Sequence, residues 1–410
     1  MRVFYLDPAL LHDVGHHANY CRYLAGEFRA RGVATLVFGY GGMVAPLQTE
    51  LGAAAHFRVN TYTDKDDDPF CPWLTGFDTM SRMTHEDLDK LPRLESTDLV
   101  FMTSVWPIQM SAMIEWWQAL PPARRPTAVL DCIGTGLEVR QISERFDVSV
   151  PDPRIDPRAV LFRYVARRLP RGTGARFHLT TFGEVPSRLF QQLLSYPVGT
   201  LASPFRAVAP LRNRAGTRPI TVAVLGHQRS RKGFDLMPDI ARELLRARPD
   251  IRLFIQSVGG SDIAAAQQRL RDLAATNQRL VIDEGAVSRE WWAKLVGISD
   301  LIVCPYRPEA YVAGFSAVLN EALANGIPVV VPAGTTLATF LQECGGCGTS
   351  FERFDPAAIV AATSQALDNF EHFANLAHAT AVTWPQVRGP GRVVDELLAL
   401  ARAPGSDLSC

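Results

Sequence analysis

Short runs of β-branched and aromatic residues alternate with helix-length segments along almost the whole chain, and this alternation leaves few folds open. RVFYL (2–6), TLVFG (35–39), DLVFMTS (98–104), TAVLD (127–131) and FHLTTF (177–182) form a first series. ITVAVLG (220–226), IRLFIQSVG (251–259), RLVIDEG (279–285), DLIVCPY (300–306) and IPVVVPAG (327–334) form a second. Strands that are apolar on both faces and separated by helices belong to βαβ units, whose parallel sheet is covered on both sides. Residues 201–219, rich in proline and arginine and lacking an apolar period, read as a linker. The expected chain is α/β, with two Rossmann-like doubly wound domains at 1–200 and 220–383 facing each other across a cleft. A helical tail follows at about 384–403. Ligands of open α/β sheets sit at the carboxyl ends of the strands, so chemistry is sought in the loops that follow them.

Composition narrows the partners. With 47% hydrophobic residues in 410, the chain can fill two cores and is too apolar to be disordered. Basic and acidic residues number 42 each, so no global field holds a nucleic acid, and none is expected as partner. Any anion site must be local. The seven scattered cysteines suit a reducing compartment better than a disulfide framework. Cys344 and Cys347 have metal-pair spacing, but no second pair accompanies them, so no metal site is expected. The start, MRVFYLDPALL, reads as strand and turn rather than signal peptide, and no apolar run reaches the ~18 residues of a membrane span. A cytoplasmic protein is expected, with peripheral contact at the inner face of a membrane left open.

Two segments stand out in the second series. In VLGHQRSRKGFDLM (224–237) a strand ends at Gly226 and a helix begins near Phe234. Between them stand His227, Arg229, Arg231 and Lys232, one of four lysines in the chain, followed by Gly233. Glycine for close backbone approach, clustered cations and a helix start together suit a phosphate, although a solvated basic turn would have the same composition. It is neither a Walker loop nor a dinucleotide GxGxxG. In PYRPEAYVAGFSAVLNEALANGIPVVVP (305–332), Gly314, Phe315, Ser316, Ala317 and Val318 open a helix whose free amides can grip an anion. Glu321 lies inside that otherwise apolar helix, so its carboxylate must face solvent or bind a ligand's hydroxyls.

Together these segments resemble the retaining nucleotide-sugar glycosyltransferases of the GT-B architecture, the group with two glutamates separated by seven intervening residues. Gly226, His227, Lys232 and Gly233 follow that group's strand, glycine, basic residue and Lys-Gly order. Gly314, Phe315, Ser316, Glu321, Ala322, Gly326, Pro328, Val329 and Val330 follow its second motif. The resemblance covers 220–367. It departs at Ala313, which stands where the first glutamate would be, and at His227, which replaces an arginine. It implies that Lys232 and Arg229 neutralise the leaving diphosphate, that Arg231, Val287 and the Gly314–Val318 amides help hold the donor, and that Glu321 accepts from ribose hydroxyls. The implied activity is transfer of a sugar from a UDP- or GDP-sugar to a glycan, lipid or small-molecule acceptor, retaining, metal-independent and without cofactor. Cell-envelope polysaccharide biosynthesis is the implied setting.

The first series matches that group only in strand order and in its first loop, LDPALLHDVGHHANYC. Gly15 there precedes a helix, and the resemblance places donor phosphate and acceptor nearby. A capped, solvated loop is one reading; His16 as a base oriented by Asp13, in an inverting transferase, is another. A non-catalytic nucleotide-sugar-binding partner protein is a third. Asp64, Asp66, Asp67 and Asp68 read as a solvated turn, and Trp116, Trp117, Trp291 and Trp292 as packing. Arg158, Arg163, Arg167, Arg168 and Arg171 form a charged outer helix face or a patch for anionic lipid. In the resembled group the tail often crosses back onto the first domain.

Overall fold

The computed structural model describes residues 1–13, 15–63, 72–142, 145–172, 175–216, 219–285 and 288–402. The aspartate run at 64–68 and Val287 lie outside the described residues. Two compact units emerge, one of residues 1–138, 147–204 and 388–410, the other of 139–146 and 205–387.

The strands are β1 (Arg2–Asp7), β2 (Ala34–Tyr40), β3 (Ala53–Phe57), β4 (Leu99–Val105), β5 (Thr127–Cys132), β6 (Glu138–Ile142), β7 (Arg145–Ser149), β8 (Phe177–Phe182), β9 (Val198–Leu201), β10 (Ile220–Val224), β11 (Ile251–Gln256), β12 (Leu280–Asp283), β13 (Leu301–Val303), β14 (Val329–Pro332) and β15 (Gly348–Phe351). The first unit's sheet runs β3-β2-β1-β4-β5-β8-β9 and the second's β12-β11-β10-β13-β14-β15; β6 and β7 form a separate ribbon. In both sheets the order reverses beside the first strand, at β1/β4 and at β10/β13. That switch point is where a doubly wound sheet opens a crevice for ligands. Every pairing in the two large sheets is parallel. The chain is thus α/β with two Rossmann-like units, as the alternating pattern predicts.

Burial explains which strands the sequence reveals. β4 and β5 are buried at every residue and read as continuous apolar runs. β3 (AAAHF) and β15 (GTSF) are edge strands with exposed positions and little apolar signal, and neither was expected. Residues 205–215 of the expected linker lie on the second unit. Arg214 is fully buried there: its Nε donates to Ser299 O at 2.8 Å and its Nη1 to Asn325 O at 2.7 Å. A guanidinium placed so caps the carbonyl end of helix Ala317–Ala324.

The tail helix Gly389–Arg402 packs in the first unit against helix His16–Ala30. Its Val393, Val394, Leu397 and Leu398 join the cluster of Val3, Tyr5, Leu24 and Phe28. Arg31 pairs with Asp395, and Arg176 Nη2 donates to Ala401 O at 2.8 Å. Removing the fully buried Leu397 side chain leaves a cavity in that cluster, at a typical cost of about 2–5 kcal/mol. Leu397→Ala is therefore expected to lower the thermal unfolding midpoint of the first unit by several degrees, measured by calorimetry.

Candidate functional site: a cationic loop over the second sheet

β10 ends at Val224 and the chain turns at Gly226, whose φ is +98°. A side chain at Gly226 would meet Val318 Cγ2 at 2.9 Å and Lys232 Nζ at 3.4 Å. The glycine thus lets the cationic loop and the start of helix Ala317–Ala324 close on one another. Gly226 N–H donates to Gln256 Oε1 at 2.7 Å, and Gln228 N–H donates to Val258 O at 2.7 Å, fixing the loop to the end of β11. Gln256 Nε2 and Gln228 Nε2 are both buried without a protein partner. At the far end Gly233 has φ +70°, and a Cβ there would fall 1.8 Å from Pro305 O. Only glycine fits, because the conformation disfavours other residues and the Pro305 backbone occupies the space.

The cations of this loop are not equivalent. Arg229 Nη1 stands 3.4 Å from Asp262 Oδ1, in an exposed and therefore weak pair. Asp262 also accepts from Ser230 N–H at 2.8 Å, which makes it chiefly an anchor of the loop. Among the described residues neither Arg231 nor Lys232 has a carboxylate partner. Lys232 lies with its ammonium 5.6 Å from the Tyr306 ring centroid, a cation–π contact. Burial pushes the Lys232 ammonium down to about 8, with Arg231 and Arg229 adding repulsion. His227, exposed, is held below the ordinary histidine range by desolvation and then by Arg229 and Lys232. It therefore contributes little positive charge at neutral pH.

Arg307, which sequence reasoning did not single out, ties the two segments together. Its backbone N–H donates to Arg231 O at 3.1 Å, its Nε to Ser230 O at 3.1 Å and its Nη2 to Asp235 Oδ2 at 2.6 Å. Downstream, Gly314 O accepts from Thr336 Oγ1. Phe315 is exposed and stacks on Phe205 at 5.7 Å. Ser316 caps the next helix, its Oγ accepting Leu319 N–H at 3.2 Å, so Ala317 and Val318 present the free amides of a helix start.

Glu321 is buried rather than open to solvent, and its Oε2 accepts Trp292 Nε1–H at 2.6 Å. Burial raises its carboxyl to about 8, with the Trp292 bond opposing the rise. Trp292 was expected only to pack; its indole fixes the one carboxyl of the second motif. The signal available in the sequence was a tryptophan pair opening helix Arg289–Ile298, too general to identify the partner.

In the first unit, Asp13 pairs with Arg22. Gly15, φ +104°, is the helix N-cap without a side-chain cap, in place of the Asp13 cap expected. His17 Nδ1 is 3.0 Å from each oxygen of Asp7. His16 lies beside it, the two rings tilted at 37° with centroids 4.2 Å apart. Among the described residues no three His, Cys, Asp or Glu side chains stand close enough to hold a metal ion, and Cys344 and Cys347 are both buried. No described helix is long and apolar enough to cross a membrane.

With this geometry in view, residues 218–369 match the family model described as glycosyl transferases group 1. That span contains the whole cationic loop, Glu321 and Trp292. Nearly all of this chain shares the GT-B fold with several solved structures. Sucrose-phosphate synthase of Thermosynechococcus elongatus is 13% identical, with TM-score 0.63 and 98% of each chain covered. HepE of Anabaena, solved in complex with UDP, is 15% identical, with TM-score 0.61, covering 97% of this chain and 99% of that one. The trehalose-6-phosphate structure from E. coli bound with UDP-2-fluoro glucose is 12% identical, with TM-score 0.62, covering 98% and 99%. No curated protein matches the chain by sequence.

Two expectations follow from the electrostatics. As pH rises through about 8, Lys232 loses its proton and the loop loses charge, so inorganic pyrophosphate should bind more weakly at pH 9 than at pH 7. Calorimetric titration of wild type against Lys232→Ala should show this pH dependence only in wild type. The sign for Glu321 is set by a folded value near 8 above an ordinary value of 4.5. Its contribution to stability is complete below the ordinary value and is lost as pH rises through about 8. Glu321→Gln, permanently neutral, should therefore lose less melting temperature than wild type between pH 5 and pH 9.

Proposed function

We propose that the chain is a glycosyltransferase that moves a sugar from a nucleotide-diphospho-sugar to a hydroxyl-bearing acceptor, with donor diphosphate at the Gly226–Gly233 loop. The observation that carries this reading is the Lys232 ammonium, without a carboxylate partner among the described residues, gathered beside Gly226 and Val318. An unpaired, partly desolvated cation beside a helix start is costly unless an anion occupies the place.

The chemical task is to expel a nucleoside diphosphate. The C1–O bond breaks as its electrons pass to the phosphate oxygen, and charge grows on the diphosphate. Lys232, supported by Arg229 and Arg231 and by the amides of Ala317 and Val318, meets that charge without reorganising. One such preorganised donor is typically worth about 3 kcal/mol, or 10²–10³ in rate. Glu321, protonated below about 8, offers both a donor and an acceptor to the two hydroxyls of a ribose. Trp292 holds it for that role.

Retention of configuration and independence of metal belong to this proposal through the motif resemblance, with Gly226, Lys232, Gly233 and Glu321 as its matched positions. Retention by front-face attack lets the departing phosphate take the acceptor's proton, which needs no protein base. A UDP- or GDP-sugar is the proposed donor; the solved complexes with UDP and a UDP-sugar support the uracil nucleotide. The acceptor belongs to the first unit, and a setting in cell-envelope glycan assembly at the cytoplasmic membrane face fits a lipid-linked acceptor.

A thermal-shift panel of UDP-, GDP-, ADP- and dTDP-sugars tests the donor assignment. A donor at 100 times its dissociation constant adds ~2.7 kcal/mol of stability, which is read as a raised midpoint. One nucleotide should stand out, and Lys232→Ala should remove its shift. An undiminished shift in that variant would take the diphosphate away from this loop.

A further inference from the structure

The arginine-rich stretch of the first unit, which the donor chemistry leaves unused, folds as helix Arg158–Ala166. One side of it is core: Ala159, Phe162, Val165 and Ala166 are buried, and the Phe162 ring meets Phe190 edge-on at 5.4 Å. The other side is open. Val160 is 42% and Tyr164 55% exposed, with Arg163 and Arg167 exposed beside them. Spacings of three, four and seven residues from Val160 put these four side chains on one face, Arg167 still having helical backbone as the C-cap. Arg171 follows beyond Pro170 and is exposed as well. The five arginines of the stretch are not equivalent. Arg158 pairs with Asp156 at 2.5 Å, and Arg168 pairs with Glu115 while its Nη2 donates to Ser111 Oγ at 2.9 Å. Among the described residues Arg163, Arg167 and Arg171 have no carboxylate partner. Residues 152–171 hold six arginines against two aspartates, and Arg154 and Arg158 occupy both of those. In a chain whose 42 basic and 42 acidic residues cancel, this is a local cationic surface. Tyr164 is fixed within it, since Phe77 meets its ring edge-on at 6.2 Å and the Arg168 guanidinium lies over it at 5.4 Å.

We propose that this helix face docks on a bilayer of anionic lipid, with Arg163, Arg167 and Arg171 meeting the phosphate headgroups and Val160 and Tyr164 entering the boundary with the acyl chains. The proposal concerns neither donor nor catalysis and stands apart from the transferase reading. Cations alone would make a solvated helix face. Interleaved with an exposed valine and tyrosine, they ask for a partner that is both anionic and apolar, and a lipid surface is both within the depth of one side chain. Tyrosine suits that boundary because its ring is apolar while its hydroxyl stays wet. Arginine stems lie along apolar surface in the same way while their heads bond phosphate oxygens. A nucleic acid would use the cations but has no place for Val160, nor for Ile155, 76% exposed in the turn before the helix. Arg168 already covers part of the Tyr164 ring on which a base would stack. No described helix is long and apolar enough to cross a membrane, so the contact is peripheral and held by charge, hence reversible and sensitive to salt.

Cosedimentation of the full chain with lipid vesicles is the test. Phosphatidylcholine vesicles containing phosphatidylglycerol should carry the chain down, vesicles of phosphatidylcholine alone should not, and added salt should weaken the binding. Each arginine neutralised should lower the partition coefficient about fivefold, the equivalent of about 1 kcal/mol for a basic residue at an anionic surface. Arg163→Gln, Arg167→Gln and Arg171→Gln combined should therefore lower it on the order of a hundredfold. Tyr164→Ser should weaken binding severalfold with the salt dependence unchanged, the mark of an apolar contribution. Arg242→Gln, which removes one exposed charge from helix Met237–Ala247 of the second unit, should leave binding close to that of wild type. Failure of wild type to bind the anionic vesicles, equal binding to both vesicle types, an unaltered triple variant or a fivefold loss in Arg242→Gln would each overturn the proposal. So would tighter binding of a single-stranded RNA oligonucleotide than of the anionic vesicles. Should the triple variant fail to fold, the single variants Arg167→Gln and Tyr164→Ser decide it, and binding unchanged in either counts against.

Discussion

The close approach of Gly233 to the carbonyl of Pro305 fixes the second unit's chemistry. A loop carrying Arg229, Arg231 and Lys232 would, by mutual repulsion, spread into solvent. The left-handed turns at Gly226 and Gly233 instead pull it down onto the end of β13, where Arg307 ties it to Ser230, Arg231 and Asp235. Stability that the strands gain by burying Val222, Val224, Leu301 and Val303 is thereby spent on holding like charges together. Such a conflict between local preference and global fold is what functional sites display.

Burial also gives the site its two unusual ionisable groups. Lys232 is lowered and Glu321 raised by the same desolvation, so that an ammonium and a carboxyl whose ordinary values lie far apart both titrate near 8. Each exists near neutral pH in a form that water alone would not choose with so small a margin. On the proposed reading an incoming diphosphate would hold the lysine's charge and a ribose diol would satisfy the neutral carboxyl, two responses to different parts of one nucleotide.

Much of this was legible in the sequence because its causes are local. Strands buried on both faces announce themselves as apolar runs, and a glycine that must adopt positive φ stays glycine. The edge strands β3 and β15 carry no such signature, since both have exposed positions and few large apolar residues. Gly226, Lys232, Gly233 and Glu321 could be picked out by spacing. Trp292 and Arg307 could not, because their roles depend on contacts across 29 and 77 residues of sequence separation. The same limit hid the carboxylate beside His17. Asp13 is the nearest carboxylate to His16 along the chain, yet Arg22 claims it, and Asp7 reaches His17 only because β1 and the following helix fold back on each other.

The two sheets share a strand order and a switch point but carry opposite equipment there. At the β10/β13 switch the loops present an ammonium, guanidinia and helix amides; at the β1/β4 switch they present Asp7, Asp131 and an imidazole held by carboxylate. Cations and amides stabilise an anion that departs, whereas carboxyl oxygens accept hydrogen bonds from a group that arrives with protons to donate. A transfer reaction needs both kinds of site and gains nothing from two of one kind. On the proposed transferase reading, two units of like strand order, one of seven strands and one of six, would divide that labour through the residues at the ends of their strands.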